Sequence, residues 1–264
     1  MKDVLRRLVA GELTVVEAEA ELRRAQLVEL GGRARLDVGR PARRGLPEVV
    51  LAEGKEPADV ASLVTALARE QGQGLASRLG AGHRAALEAA VDGLETRWYG
   101  AQAVRVSQPG WAPEPQPGRV AVLTAGTSDL DAAREAVMLV EAAGLDCRLE
   151  ADLGVAGLHR LLGPLAELEA WEADCYIVAA GMDGVLPGVV AGLVGAPVIG
   201  LPVPTGYGAG GRGEAALGTM LQSCSTGLTV VNIGNGVGAG AAAVLIAARV
   251  AAERRRAPQP ARPE

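Results

Sequence analysis

The chain has 264 residues, a formal net charge of -5, and a composition that is 49% hydrophobic but only 2% aromatic. This length fits one large or two modest domains. The acidic balance gives no support to nucleic-acid binding, which needs a strongly basic surface, so we expect no nucleic-acid partner. Because Phe is absent and Gly occurs 36 times, the core is expected to consist of Ala, Val and Leu around closely packed backbone.

The first residues and the apolar stretches give no sign of secretion or membrane insertion. Asp3 and Glu12 lie in an N-terminal segment without a long apolar core, which does not predict a signal peptide. The most apolar stretch, 175–204, contains Asp183 and several prolines, which disfavour a membrane helix. An odd number of cysteines without metal-type spacing is typical of a reduced compartment. We therefore expect a cytoplasmic protein with no membrane partner.

Residues 107–118, which read SQPGWAPEPQPG, form the predicted boundary between two domains. Pro and Gly at this density disfavour a helix or a central strand. The sequence predicts an N-terminal domain over 1–106, a linker over 107–118 and a second domain over 119–252. The charged, Pro-rich segment 253–264 is predicted to be a disordered tail.

The N-terminal domain is predicted to be a small α+β domain. It begins with a helix, and Thr14 and Glu17 form a capping-box pattern that starts a second helix. After an Arg-rich segment, a short strand is predicted over 48–52 and a helix over 57–70.

The second domain alternates between short apolar runs and helical patterns. Near-continuous apolar strands are typical of a parallel sheet that helices cover on both faces. With right-handed crossovers, this predicts an α/β fold with a doubly wound parallel sheet in a flavodoxin-like layout, whose ligands bind at the carboxyl ends of the strands. Strands are predicted over 119–124, 145–150, 174–180, 197–201 and 228–233, and helices over 129–143, 157–170, 185–195, 214–224 and 239–253.

Polar residues follow the first of these strands directly. Gly126, Thr127, Ser128 and Asp129 open the first helix, where free N–H groups and hydroxyls can bind phosphate. A carboxylate at Asp129 would repel phosphate unless it caps the helix or contacts a metal ion or a ribose. The alternative is an ordinary helix N-cap, where Ser and Asp are favoured.

Charged residues follow the second and third strands. Asp152, His159 and Arg160 come after the second strand; a His titrates near neutrality, and an Arg pairs with phosphate or carboxylate. A purely structural His-Arg pair is the alternative. Asp183 lies close to glycines after the third strand, where it could be a general base or a metal ligand, or an Asp that holds a turn.

Two Gly-rich segments follow the fourth and fifth strands. The segment 202–213, with Tyr207, is either a lid over the ligand or a flexible connection. The segment 232–240, with Asn235, could bind an anion through backbone N–H groups, or its glycines could only let helix and strand approach.

The polar neighbours of Cys224 make it the best candidate for a reactive thiol, although a small buried hydrophobe is the default for a cysteine. Cys147 and Cys175 lie within predicted strands, where an inert core role is expected.

Residues 119–250 resemble the PurE-type aminoimidazole-ribotide carboxylase family. The phosphate loop of that family is matched by 126–129, its catalytic His-Arg by 159–160, its Leu-Pro-Gly by 186–188 and its Pro-Val-Ile-Gly by 197–200.

Most of the chain is similar to the LarB family of nickel-pincer cofactor biosynthesis, which serves lactate racemase maturation. The similarity rests on an N-terminal pattern over 37–55, on 152–160, 181–184 and 206–209, and on Met-Leu-x-Ser-Cys ending at Cys224. The cysteine separates this family from PurE enzymes, which lack it there.

The resemblance implies a carboxylase and hydrolase that acts on nicotinic acid adenine dinucleotide (NaAD), with carbon dioxide or bicarbonate as co-substrate. A Cys224 thiolate would add to carbon 4 of the pyridinium, carbon 5 would attack carbon dioxide, and Asp183 would remove the proton before the thiolate leaves. Hydrolysis of the phosphoanhydride would give pyridinium-3,5-biscarboxylate mononucleotide and AMP. The resemblance allows Mg2+ to assist this step and assigns no ligands to it. His159 is also implied in catalysis, and the implied substrate-binding residues are Gly126, Thr127, Ser128, Asp129, Asp152, Arg160, Tyr207 and Asn235.

The chain departs from the LarB pattern at several positions. Gly234 and Val237 replace an Asp and a Phe, Asp183 stands where Glu is common, and 203–205 replaces Thr-Ser-Val. Two alternatives therefore stay open: a PurE-like carboxylase or mutase acting on aminoimidazole ribotide, and a non-catalytic nucleotide-binding regulator, since LarB-like proteins have also been labelled circadian phase modifiers. By analogy with PurE-type cores, we expect a homo-octamer.

Overall fold

A computed structural model of the protein describes residues 2–24, 27–30 and 34–256. The chain divides into two compact units, one of Met1–Trp98 with Val104–Ala112 and one of Tyr99–Ala103 with Pro113–Glu264. Each unit has its own sheet and its own hydrophobic core.

The first unit combines helices with a four-stranded mixed sheet, so the predicted small α+β domain is present. The sheet has the order β3-β4-β6-β5, with β3 parallel and β6 antiparallel to β4, and β1 and β2 form a separate antiparallel pair. The elements are α1 (Lys2–Val9), α2 (Val15–Arg24), β1 (Val28–Leu30), β2 (Ala34–Leu36), α3 (Arg40–Arg44), β3 (Val49–Leu51), α4 (Pro57–Gln71), β4 (Gln73–Ser77), α5 (Ala81–Ala90), β5 (Glu95–Tyr99) and β6 (Ala103–Ser107).

Local sequence signals explain the start and end of the helices in this unit. The capping box before α2 is confirmed, because the Thr14 N–H donates to Glu17 Oε2 at 2.8 Å and the Glu17 N–H donates to Thr14 Oγ1 at 3.3 Å. Helix α4 starts with Pro57 in its first turn, and its C-cap is Gly72, whose φ of 86° favours a glycine. Strand β4 (Gln73–Ser77) has no strand pattern in the sequence, because Gly and Ala have little strand propensity.

The second unit is a five-stranded, all-parallel sheet in the order β11-β10-β9-β7-β8. Counted from the first strand of the unit, this is the order 2-1-3-4-5 of flavodoxin-like folds, so the predicted α/β fold is confirmed. The elements are β7 (Gln116–Thr124), α6 (Leu130–Ala142), β8 (Leu145–Glu150), α7 (His159–Ala170), β9 (Cys175–Ala180), α8 (Leu186–Ala191), β10 (Val198–Pro202), α9 (Glu214–Leu221), β11 (Leu228–Val230) and α10 (Gly236–Arg256).

Helices cover both faces of this sheet. Helices α7, α8 and α9 share a core with alternate residues of β7 and β9, among them Leu123 and Tyr176. Helices α6 and α10 pack on each other and on β7 and β9. The alternation follows from the two-residue period of a strand, which turns successive side chains to opposite faces.

The structure corrects two predicted segments around the sheet. Residues 116–118 of the predicted linker belong to β7, where a register shift between Gln116 and Arg119 accommodates Pro117. Residues 253–256 of the predicted tail belong to α10, because Arg254 forms two hydrogen bonds with the buried carboxylate of Asp174. The rest of the predicted tail, 257–264, lies outside the described residues.

Helix α10 is long and apolar enough to cross a membrane by length and composition alone, and it is the single such helix in the part of the chain described. A core helix passes the same test. Ala239, Ala243 and Ala247 are buried, and the helix packs against α6 and β7. One face of α10 is therefore buried in the second unit.

Candidate functional site

A cleft of about 450 Å3 lies at the carboxyl ends of the strands in the second unit, where the fold predicts a ligand site. Its walls come from the segments that follow β7, β8, β9 and β10. Six predicted site residues line it: Gly126, Ser128, Asp129, Arg160, Asp183 and Tyr207. We call it the carboxyl-end cleft.

The turn after β7 supplies both hydroxyl and carboxylate groups to this cleft. Thr127 and Ser128 are exposed, whereas Asp129 is only 3% exposed. Asp129 Oδ2 accepts a hydrogen bond from the Gly126 N–H at 2.9 Å, which closes the turn at the start of the helix. Burial raises the pKa of Asp129, and hydrogen bonds from Thr205 and Gly126 act in the opposite direction.

Thr205, which was not singled out as a site residue, meets this carboxylate from the loop after β10. Its Oγ1 donates to Asp129 Oδ1 at 2.7 Å, and both residues line the carboxyl-end cleft. Gly181 makes room for the contact, because a Cβ there would lie 2.0 Å from Thr205 Oγ1 and 2.4 Å from the Thr205 carbonyl oxygen.

The Gly181→Ala substitution is expected to destabilise the protein by about 1–3 kcal/mol, because the new methyl group would overlap backbone as well as side-chain atoms of Thr205. Denaturant unfolding monitored by circular dichroism measures this. Gly218→Ala is the matched control, since its Cβ would meet no atom within 4 Å on helix α9 and should stabilise by up to about 1 kcal/mol. Equal effects of the two substitutions would contradict the steric argument.

Asp152 and Arg160 form an ion pair beside the cleft, with 2.7 Å between Asp152 Oδ2 and Arg160 Nη1. Arg160 lines the cleft. Both side chains are more than one-third exposed, so the pair contributes little stability. The Arg160 guanidinium can therefore exchange Asp152 for an anionic ligand.

Asp183 and Tyr207 lie on exposed loops at the mouth of the cleft. Asp183 Oδ1 accepts a hydrogen bond from the Val185 N–H at 3.3 Å, as expected of an Asp that holds a turn. Tyr207 is 81% exposed and follows Gly206, whose φ is 142°. Both side chains are within reach of a ligand in the cleft.

Asn235 and His159 line neither this cleft nor the second cavity described below. Asn235 Oδ1 accepts from the Gly238 N–H at 2.8 Å, and its carbonyl oxygen accepts from the Ala239 N–H, so the residue caps helix α10. His159 is exposed at the first position of α7.

Cys224 lines a second, largely apolar cavity of about 740 Å3, which we call the cysteine cavity. Leu158, Leu162 and Leu193 contribute to its walls together with residues on both sides of Cys224. Residues 183–186 separate it from the carboxyl-end cleft, because Asp183 and Leu186 line the cleft while Gly184 and Val185 line the cysteine cavity. Within one chain, the thiol and the polar binding groups thus occupy adjacent cavities.

The three thiols differ in their surroundings. Burial raises the pKa of Cys147 and of Cys175 to about 12, so neither forms a thiolate near neutral pH. Cys224 is exposed just beyond the end of α9. Of the three, Cys224 is therefore the one placed to react with a ligand.

The carboxylates of the cleft do not assemble a metal site. Within the described ranges, no three His, Cys, Asp or Glu side chains lie close enough together to hold a metal ion. Among the described residues, Asp129 lacks the further carboxylate, imidazole or thiol groups beside it that would complete such a site, and Asp152 is paired with Arg160. The residues present do not fit a metal ion held by the protein alone, so we derive no step through one.

Comparison with known proteins places the chain in a family. Residues 119–259 match the family model described as AIR carboxylase, and 28–106 match the LarB/PurE-like N-terminal domain. A relative described as the uncharacterized protein MJ0165 of Methanocaldococcus jannaschii is 35% identical over 257 residues, covering 94% of this chain and 96% of the relative. The crystal structure of a PurE2 variant from Treponema denticola matches with 19% identity and a TM-score of 0.39, covering 53% of this chain and 94% of that one.

The parallel sheet and its cleft belong to a PurE-like protein of the carboxylase type. The chain is a member of the AIR carboxylase family and, more closely, a LarB-like protein with a PurE-like C-terminal domain.

Proposed function

We propose that the protein is a LarB-like carboxylase and hydrolase. It carboxylates carbon 5 of the pyridinium ring of NaAD and hydrolyses the phosphoanhydride, giving pyridinium-3,5-biscarboxylate mononucleotide and AMP for nickel-pincer cofactor synthesis. The observation that carries the proposal is the exposed thiol of Cys224 in a large cavity, in a chain that joins a LarB-type N-terminal domain to an AIR carboxylase domain. NaAD is the proposed small-molecule partner.

The carboxyl-end cleft has the groups that a nucleotide needs. The turn that contains Gly126 and Ser128 offers donors at the start of a helix, where phosphate is favoured. Arg160 adds a cation that can pair with a phosphate oxygen. Asp129 would repel a phosphate but can accept hydrogen bonds from the neutral hydroxyls of a ribose.

The proposed chemistry begins with covalent catalysis at the pyridinium. The Cys224 thiolate adds to ring carbon 4, and the electron-poor cation becomes an enamine-like dihydropyridine. Carbon 5 then attacks carbon dioxide and forms the new carbon–carbon bond. A base, for which we propose Asp183, takes the proton from carbon 5, the thiolate leaves, and the ring regains its aromaticity. Water cleaves the phosphoanhydride in a separate step.

The exposed apolar wall of the cysteine cavity is relevant to the oligomeric state of the protein. We propose a cytoplasmic homo-octamer by analogy with PurE-type cores. The apolar side chains Leu158, Leu162 and Leu193 around the cysteine cavity are each at least 45% exposed in the single chain, as expected if a neighbouring subunit covers them. Light scattering of the purified protein tests the assembly, and a monomeric mass would contradict it.

The function is tested by incubating the full-length protein with NaAD, bicarbonate and magnesium, and by following products with mass spectrometry. Formation of AMP together with the biscarboxylated mononucleotide is the expected result. Isotope-labelled bicarbonate should add its label to the mononucleotide and not to AMP. AMP without a carboxylated product would indicate hydrolysis alone and would contradict the proposed carboxylation.

A second candidate function has support from the family match. The AIR carboxylase domain favours aminoimidazole ribotide as the alternative substrate. The same assay with this ribotide distinguishes the two, because a PurE-like reaction would not need Cys224. Binding of NaAD without turnover of either substrate would instead indicate a regulator.

A further inference from the structure

The Asp129 carboxylate is held on both sides by groups from different loops. Oδ2 accepts from the Gly126 N–H in its own turn, and Oδ1 accepts from Thr205 Oγ1 in the loop after β10. The residue is 3% exposed, yet it lines the carboxyl-end cleft. A carboxylate oxygen accepts more than one hydrogen bond, so each oxygen keeps capacity for a ligand.

The chemistry of the cleft separates two kinds of ligand group. Backbone N–H groups near Ser128 and the guanidinium of Arg160 suit an anion, whereas the carboxylate of Asp129 repels one. A neutral donor such as a sugar hydroxyl can bind at Asp129 without this repulsion. The orientation of the carboxylate then decides whether its remaining lone pairs face that donor.

Thr205 is suited to fix this orientation. A β-branched side chain has few χ1 rotamers, and the close approach of the Gly181 backbone to both Oγ1 and the carbonyl oxygen limits movement of the residue. The hydroxyl donates to Asp129 Oδ1 at 2.7 Å, an ordinary distance for a hydrogen bond from a hydroxyl to a carboxyl oxygen.

We propose that Thr205 is a positioning residue whose hydroxyl fixes the Asp129 carboxylate as the acceptor for the neutral sugar hydroxyls of a phosphorylated ligand. The proposal deepens the proposed function and rests on it for the natural ligand, a ribose phosphate within NaAD. Thr205 acts through Asp129 and need not touch the reacting atoms.

The test compares wild type with Thr205→Val, which removes the hydroxyl at nearly constant volume, and with Thr205→Ser, which keeps it. The probes are methyl β-ribofuranoside 5-phosphate and its 2,3-dideoxy analogue, and calorimetry measures their dissociation constants. We expect wild type and Thr205→Ser to prefer the ribose probe by about tenfold or more, as for hydrogen bonds to a charged group. Thr205→Val should lose that preference and bind the dideoxy probe as wild type does.

Two outcomes would overturn the proposal. One is an equal loss of affinity for both probes in the Thr205→Val variant, which would indicate a merely structural role. The other is a wild-type protein that does not distinguish the probes. The proposed function is tested separately, by turnover of NaAD. If the protein distinguishes the two sugar phosphates but does not convert NaAD, the role of Thr205 is supported and NaAD is excluded as the substrate.

Discussion

The carboxylation of NaAD that we propose is expected to fall at least about a thousandfold when Cys224 is replaced with alanine, the scale seen when a covalent nucleophile is removed. Without the thiolate, the pyridinium stays an electron-poor cation whose carbon 5 cannot attack carbon dioxide. Because Cys224 is exposed at the wall of a cavity, its removal leaves no void in the core. Single-turnover assays with labelled bicarbonate measure the effect, and circular dichroism checks that the fold is retained.

Cys147→Ala is the matched control for this experiment. Burial raises the pKa of that thiol to about 12, so it is not available as a nucleophile and the variant should carboxylate NaAD at close to the wild-type rate. The Cys224→Ala variant should still bind NaAD, because the polar groups of the carboxyl-end cleft are unchanged. Retained carboxylation in Cys224→Ala would exclude covalent catalysis by this residue and favour PurE-like chemistry.

Replacing Asp174 with alanine is expected to lower the free energy of unfolding by about 2–4 kcal/mol, since it leaves the partners of a buried carboxylate unsatisfied. Asp174 accepts from Arg254 Nη2 at 2.6 Å, from Arg254 Nη1 at 2.9 Å and from the Arg119 N–H at 2.8 Å. The side chain of Asp174 is 3% exposed and that of Arg254 is 32% exposed, which keeps the expected loss below that for a fully buried pair. Denaturant unfolding measures the loss.

Arg256→Ala provides the control within the same helix turn. Its ion pair with Glu253 has side chains that are 75% and 70% exposed, so the substitution should cost less than about 1 kcal/mol. A double-mutant cycle of Asp174→Ala with Arg254→Ala isolates the coupling between the two partners. Additive effects would show that the pair makes no contribution of its own.

Much of the second unit could be predicted from the sequence because its strands are short, apolar runs separated by helical periods. Strand 145–150 was predicted with the bounds of β8, whereas the helix predicted over 185–195 ends at Ala191. The first unit was less predictable. Its strand β4 contains Gly and Ala and is buried throughout, so it shows no alternation of polar and apolar residues.

The positions of site residues could be predicted where the strand topology fixes them. They could not be predicted where they depend on side-chain contacts between distant segments. Asp129, Arg160 and Asp183 line one cleft because the carboxyl ends of parallel strands share an edge. Sequence periodicity could not show that Cys224 lies on the far side of residues 183–186. The Thr205 hydroxyl was missed because its partner is 76 positions away in the chain. The available signal in the sequence was a Thr next to Gly206 in the Gly-rich segment after the fourth predicted strand.

The long final helix also sets when the second unit can finish folding during synthesis. Helix α10 packs on β7, and Arg254 donates to the Pro117 carbonyl oxygen across 137 positions of chain. Close contacts between α10 and α6, such as Gly236 beside the Ala132 carbonyl oxygen, form only when this helix is present. The first unit can fold while the ribosome is still translating the second. The part of the sheet face that α10 covers stays exposed to solvent until this helix has been synthesised.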